Sequence, residues 1–190
     1  MLRESIWDQL IDRTSRTSTS LGFTQTRLAM VELLFGCVPP FVLSRLRTQF
    51  LRAAGLQIGK STQFFGLPRL VGTGELVRRI HVGEHCGINA GSFFDLTEMI
   101  TIGDHVAIGH DAMFLSRSEP NGNVGQLAEP RLQAPIKIGN GVWLGARCTI
   151  MPGVTVGAGS VIGAGIVVSN NVPENTLLTG AQAISLARWR

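Results

Sequence analysis

The chain has 190 residues and a formal charge of +4; 44% of its residues are apolar, 23 are glycine and none is tyrosine. That hydrophobicity excludes a disordered chain, and the length suffices for one domain with a substantial core. The basic excess comes with no aromatic RNA-binding motif and no zinc-finger spacing, so nucleic acid is not expected as a partner.

In chain order, the opening stretch MLRESIWDQLIDRTSRT has no apolar centre of the signal-peptide kind. Cys37, Cys86 and Cys148 are odd in number and share no CxxC spacing, which points to free thiols and a cytoplasmic setting. The run from Leu28 to Leu43 is apolar but holds Glu32 and the Pro39-Pro40 pair. It falls short of the roughly 20 apolar residues of a membrane span and reads as a helix broken at the prolines. Ser44 to Leu56, SRLRTQFLRAAGL, reads as a basic amphipathic helix with Ser44 as its N-cap and Gly55 as its stop. Residues 1–56 are therefore expected to form a helical extension. Arg45, Arg47, Arg52, Lys60, Arg69, Arg78 and Arg79 are answered in their stretch only by Glu75, so this region faces anionic lipid, glycan, nucleotide phosphate or plain solvent. Docking of the basic helix on an inner membrane surface is one expectation.

Beyond residue 57 a repeat takes over. Ile138, Leu144, Ile150, Val156, Ile162 and Val168 stand six apart, and the next residue is mostly glycine: Gly139, Gly145, Gly157, Gly163. Val82, Ile88, Phe94 and Ile102, Ile108, Phe114 keep the same step, and a looser coil starts near Ile58. A period of six does not fit a helix. It fits a short strand with one inward side chain followed by a tight corner, where glycine tolerates positive φ. Three strands make a coil of 18 residues, and stacked coils pair as parallel sheets about 4.8 Å apart. The fold class is thus mainly β, a parallel β-helix over residues 57–175 followed by a tail at 176–190. Two extra residues are expected near Asp95–Met99, and about 18 between Phe114 and Ile138. The second excess predicts an extruded loop near residues 116–135.

The segment IGNGVWLGARCTIMPGVTVGAGSVIGAGIVVSNNVP resembles the hexapeptide-repeat acyltransferases, in particular the sugar and polysaccharide O-acetyltransferase branch that includes galactoside and maltose acetyltransferases. The resemblance covers roughly Ile58 to Ala187 and implies a left-handed β-helix, against the usual right-handed crossover. It further implies a homotrimer with acetyl-CoA held between neighbouring chains and direct transfer to a hydroxyl of a sugar or glycan precursor, with no metal. In such enzymes a loop histidine is the base and an asparagine one coil earlier assists. Laid along that pattern, Asn89 takes the asparagine position and Glu119 takes the histidine position. Glutamate is a weaker base than histidine, with free pKa values of about 4.3 and 6.5. The alternative is therefore a catalytically impaired trimeric binding or scaffold member.

His110, two residues after inward Ile108, is the nearest histidine and a candidate displaced base, expected to lie outward and close to where the loop leaves. Trp143 should lie on the outer face, where the resemblance implies the border of the donor and acceptor site. Ala146 and Ala164 match positions whose backbone meets the pantetheine arm. Ser169 and Asn170 stand where relatives carry threonine and lysine, so one phosphate partner is lost. His85 and His105 share a hexad position in adjacent coils and are expected to stack. The gamma-class carbonic anhydrases share the fold and hold zinc with three histidines, but here IGHDAMFL keeps His110 and has Leu115 where a second ligand would stand.

Overall fold

The structure, a computed structural model, describes residues 23–118 and 132–180. Two helices come first, α1 (Phe23–Phe35) and α2 (Ser44–Ala53), and eighteen short strands follow among the described residues. The six-step ladder is the register of the sheets. Ile58, Val82, Ile102, Ile138 and Val156 pair side by side along one parallel face, face A. Phe64, Ile88, Ile108, Leu144, Ile162 and Leu178 do the same along face B. Leu70, Phe94, Phe114, Ile150 and Val168 form face C. These side chains are buried, except Ile58, Leu70 and Leu178 in the end coils. Phe94 and Phe114 stack within the core at 4.7 Å. The result is the mainly β, parallel solenoid that the period predicts, with two helices at its start.

Coil length varies only at corners. Val82 and Ile102 are 20 residues apart, the two-residue excess expected near Asp95–Met99. Ile102 and Ile138 are 36 apart, and the excess leaves after Phe114. The first coil, from Ile58 to Val82, runs to 24 residues because residues 72–79 bulge out around a 3-10 turn (Leu76–Arg78). The last shortens to 16, from Val156 to its bridge partner Val172. Parallel pairing continues through β18 (Leu177–Leu178).

The glycines do two different jobs. Those right after the ladder residues do not take positive φ, contrary to expectation. A Cβ on Gly139 would sit 2.6 Å from the backbone nitrogen of Ala158, so glycine is there to let one coil lie on the next. Positive φ falls two residues later, at Gly141 and Gly159 and, in the same corner of earlier coils, at Ser61, His85 and His105. The last two imidazoles stack at 4.9 Å, with planes 1° apart.

α2 departs from the sequence reading. Its N-cap is Leu43, in the left-handed region and with no side-chain cap; Ser44 is the first helical residue, and its hydroxyl reaches Gln63 Oε1 at 3.3 Å instead. α1 begins before Leu28 and ends at Phe35, so the prolines fall in the turns that follow it. The arginines of α2 do not form a uniform solvent-facing stripe. β1 (Gln57–Ile58) and β2 (Gln63–Phe64) are edge strands of faces A and B, and their outward backbone groups need partners. Thr48 Oγ1 accepts from the Phe64 N–H at 2.9 Å, and Arg47 donates to the Phe64 carbonyl at 3.4 Å. Arg52 donates to the carbonyls of Ile58, at 3.1 Å, and Gly59. Arg47 is fully buried; it also donates to the carbonyls of Pro39 and Val42 and lies 5.7 Å from the Phe35 ring centre. Burial pulls its pKa down, yet a guanidinium stays charged. One side chain thus ties the end of α1, the turn at 36–43 and the first coil together. No helix among the described residues is long and apolar enough to cross a membrane.

Arg47→Met should destabilise the fold by about 2–4 kcal/mol, because it strips donors from three carbonyls in a closed interior. Arg45→Met, at an exposed position, should stay within about 0.5 kcal/mol. Urea unfolding of both variants checks this.

Candidate active site

A triangular solenoid offers its chemistry along its edges and outer faces. The expected site residues divide between two edges. Asn89 and His110 stand just beyond the inward Ile88 and Ile108, where face B turns into face C, and Ala146 and Ala164 occupy the His110 position one and two coils on. The Asn89 amide nitrogen donates to the Ile108 carbonyl at 3.0 Å, and its Oδ1 has no hydrogen-bond partner among the described residues. The exposed His110 ring packs on Phe41 at 5.9 Å and makes no hydrogen bond or ion pair with a described residue. A histidine base normally has a partner that fixes its tautomer, and none is present among the described residues. The amides of Ala146 and Ala164 donate to no described residue. The coils lie close together at this edge: a Cβ on Gly109 would strike the Ala146 backbone, and one on Gly145 would strike that of Ala164.

Trp143 lies outward on face B, 58% exposed, between Ala107 and Val161 in the neighbouring coils. Leu177 continues the row at 67% exposure. On face C the outward positions include Met113 and Val167, both exposed. Face A presents Gln57, His81, Thr101, Lys137 and Thr155 instead. Face B is therefore apolar outward in its later coils and face A polar, while face C is mixed, with Arg69 and Thr149 beside Phe93, Met113 and Val167.

The second edge, between faces C and A, carries the loop. β9 (Met113–Leu115) separates His110 from the loop root by about 10 Å of strand. His110 is thus not beside the loop exit, as the sequence reading had it, because a whole face intervenes. The loop leaves and returns as a two-stranded antiparallel ladder, β10 (Arg117–Ser118) with β11 (Leu132–Gln133). Glu119 lies outside the described residues. Its root is pinned by residues the sequence reading missed. Asp95 is buried and accepts from Arg117 Nε at 2.9 Å, from Thr97 Oγ1 at 2.6 Å and from the Thr97 N–H at 3.0 Å. The fully buried Ser116 donates to the Asp95 carbonyl at 2.7 Å and accepts from the Glu98 N–H at 2.8 Å. Ser169 and Asn170 sit on this same edge, exposed and 3.3 Å from each other.

Other chemistry finds little support. Burial raises the Cys86 thiol and pushes Cys148 up to about 11, so neither is a ready nucleophile. The stacked His85 and His105 have no third metal-ligating side chain around them among the described residues.

Residues 135–170 match the family model described as the hexapeptide repeat of succinyl-transferase. Galactoside O-acetyltransferase of Escherichia coli K12 is 37% identical over 100 residues, half of this chain and 49% of that protein. The chain spans about half the length of the curated relatives it matches. A hexapeptide-repeat acetyltransferase of Vibrio cholerae O1 biovar eltor, solved with acetyl-coenzyme A, superposes with a TM-score of 0.68 at 27% identity, over 86% of this chain and 85% of that one. A maltose O-acetyltransferase of Clostridium difficile 630 superposes at 0.64 and 28% identity, over 83% and 81%. The repeat, the solenoid and these relatives agree in their likeness to the hexapeptide-repeat acetyltransferases.

Proposed function

We propose that the protein is an acetyl-CoA-dependent O-acetyltransferase acting on a hydroxyl of a sugar or polysaccharide precursor in the cytoplasm. The observation that carries this reading is the face B–C edge. Two amides that donate to no described residue, those of Ala146 and Ala164, lie in line with His110, on the same edge as Asn89 and beside the exposed Trp143. An amide-rich pantetheine arm fits such a strip, because each of its carbonyls finds a backbone donor and no side chain blocks the approach. Ser169 and Asn170, on the C–A edge, would offer neutral donors toward the nucleotide end only from a neighbouring chain. The V. cholerae structure with acetyl-coenzyme A supports the donor, and the galactoside and maltose enzymes support a sugar acceptor.

In a single chain the B–C edge and the loop on the C–A edge point away from each other. The exposed apolar residues Trp143 and Leu177 on face B and Met113 and Val167 on face C supply a reason for chains to pack, and a threefold assembly would bring one chain's loop to the next chain's Asn89 and Trp143. Glu119 then acts as base. The acceptor hydroxyl attacks the thioester carbonyl carbon as its proton passes to the carboxylate; the C–S bond then breaks, and the protonated Glu119 returns that proton to the departing sulfur, so CoA leaves as the thiol and the carboxylate is regenerated. Proximity of two bound substrates supplies much of the rate. A second reading, a binding member without a working base, draws on the His110 ring, which has no partner to orient it.

Release of CoA thiol with galactoside and maltoside acceptors tests the proposal. Glu119→Gln should lower kcat by about 10²–10⁴ with KM little changed. Activity should rise with pH through the carboxylate pKa, since the deprotonated form is the base. Wild-type protein that binds acetyl-CoA but releases no thiol with any acceptor favours the second reading. Asp95→Ala, which frees the loop root, should lower kcat at least about tenfold while the KM for acetyl-CoA holds, and should cost about 1–3 kcal/mol of stability. Equal loss in kcat and acetyl-CoA affinity would count against a positioning role for Asp95.

A further inference from the structure

An exposed apolar surface lies on the two helices that precede the solenoid. The second half of α1 is apolar on both sides apart from Glu32: Val31 and Phe35 point into the core, while Met30, Leu33 and Leu34 point out, Leu33 at 84% exposure. A helix of this kind is normally covered on both sides. Leu43, Leu46 and Phe50, three and four residues apart on α2, continue the exposed row, and Phe50 lines a groove of about 330 Å³ together with Met30 and Leu34. In the turn between the helices Phe41 and Val42 are exposed as well, and Phe41 touches His110.

Among the described residues the charges beside this row are mostly basic. Arg45 is exposed between Leu43 and Leu46, and Lys60 is exposed just beyond α2; from residue 23 to residue 60 the sole acid is Glu32, exposed on α1. A second copy of the same face would set these cations against their own kind. An anionic lipid surface complements both the apolar row and its basic rim. α1 is too short to cross a bilayer, so it would lie in the headgroup region.

We propose that the exposed face of α1, the turn at 36–43 and the outer row of α2 form a docking surface for an anionic phospholipid bilayer. The contact is apolar with a basic rim, and not the polar side of α2, whose Arg47 and Arg52 are used internally. Docking through Phe41 and Val42 sets the Asn89–His110 edge at membrane level, within reach of an acceptor carried on a lipid; this last consequence rests on the proposed function, whereas docking does not.

Flotation of the full chain with phosphatidylcholine vesicles, with and without about 30% phosphatidylglycerol, tests it. Wild-type protein should float with the anionic vesicles and about tenfold less with neutral ones or in high salt. Leu33→Glu with Leu46→Glu should cut binding to anionic vesicles at least about tenfold, with melting midpoint and oligomeric state unchanged. Wild-type protein that stays at the bottom of the gradient, equal flotation of the double variant, or equal binding to neutral vesicles would overturn the proposal. So would a double variant that loses its oligomeric state, because the face would then lie between copies. Thiol release with soluble acceptors reads the proposed activity separately, so the two can fail independently.

Discussion

Everything in this structure follows from one inward side chain every six residues, stacked on its counterpart in the next coil at the spacing of hydrogen-bonded strands. Phe64, Ile88, Ile108, Leu144 and Ile162 lie in register because a slip of one residue would turn each of them out to water. The same constraint decides where anything else can go. Extra residues leave only at corners: after Leu70, after Phe94 and, most extensively, after Phe114. Chemistry is therefore confined to edges and outer faces, and the distance between two functional groups is set by how many coils and faces separate them.

A stack of coils has open ends, and here the first end is closed by side chains. Arg47, Thr48 and Arg52 supply what a preceding coil would have supplied to Phe64 and Ile58. This explains why a fully buried arginine is tolerated: its charge is spread over three carbonyls and an aromatic ring. It also explains how the helices come to present apolar residues outward, since α1 and the turn after it are held by that same guanidinium.

The period made the core ladder legible from the sequence, along with the place of the loop and the outward setting of Trp143. Other features were not legible, for physical reasons. Helical periodicity shows that α2 has a polar side but cannot say whether that side meets water or carbonyls, so its arginines read as surface charge. Glycine marks a corner without saying why, and Gly139 and Gly141 answer to different constraints, close approach and positive φ. The pairing of Asp95 with Arg117 joins residues 22 apart across two coils. One hint was present in FFDL, where an acid interrupts an otherwise apolar run at the coil with two extra residues. His110 was placed near the loop by counting along the chain, whereas a face of the solenoid stands between them.

In the proposed enzyme neither edge is complete alone: Asn89, Ala146 and Trp143 belong to one side of the site and the Asp95-anchored loop to the other. Mixing inactive chains reads this most directly. One chain would carry Asn89→Ala; the other would have residues 119–131 replaced by a short glycine linker. Co-assembled oligomers, verified by native mass spectrometry, should recover acetyl transfer that neither parent shows, because some interfaces then join an intact edge to an intact loop. Fully mixed oligomers with no more activity than the parents would contradict a site built between chains.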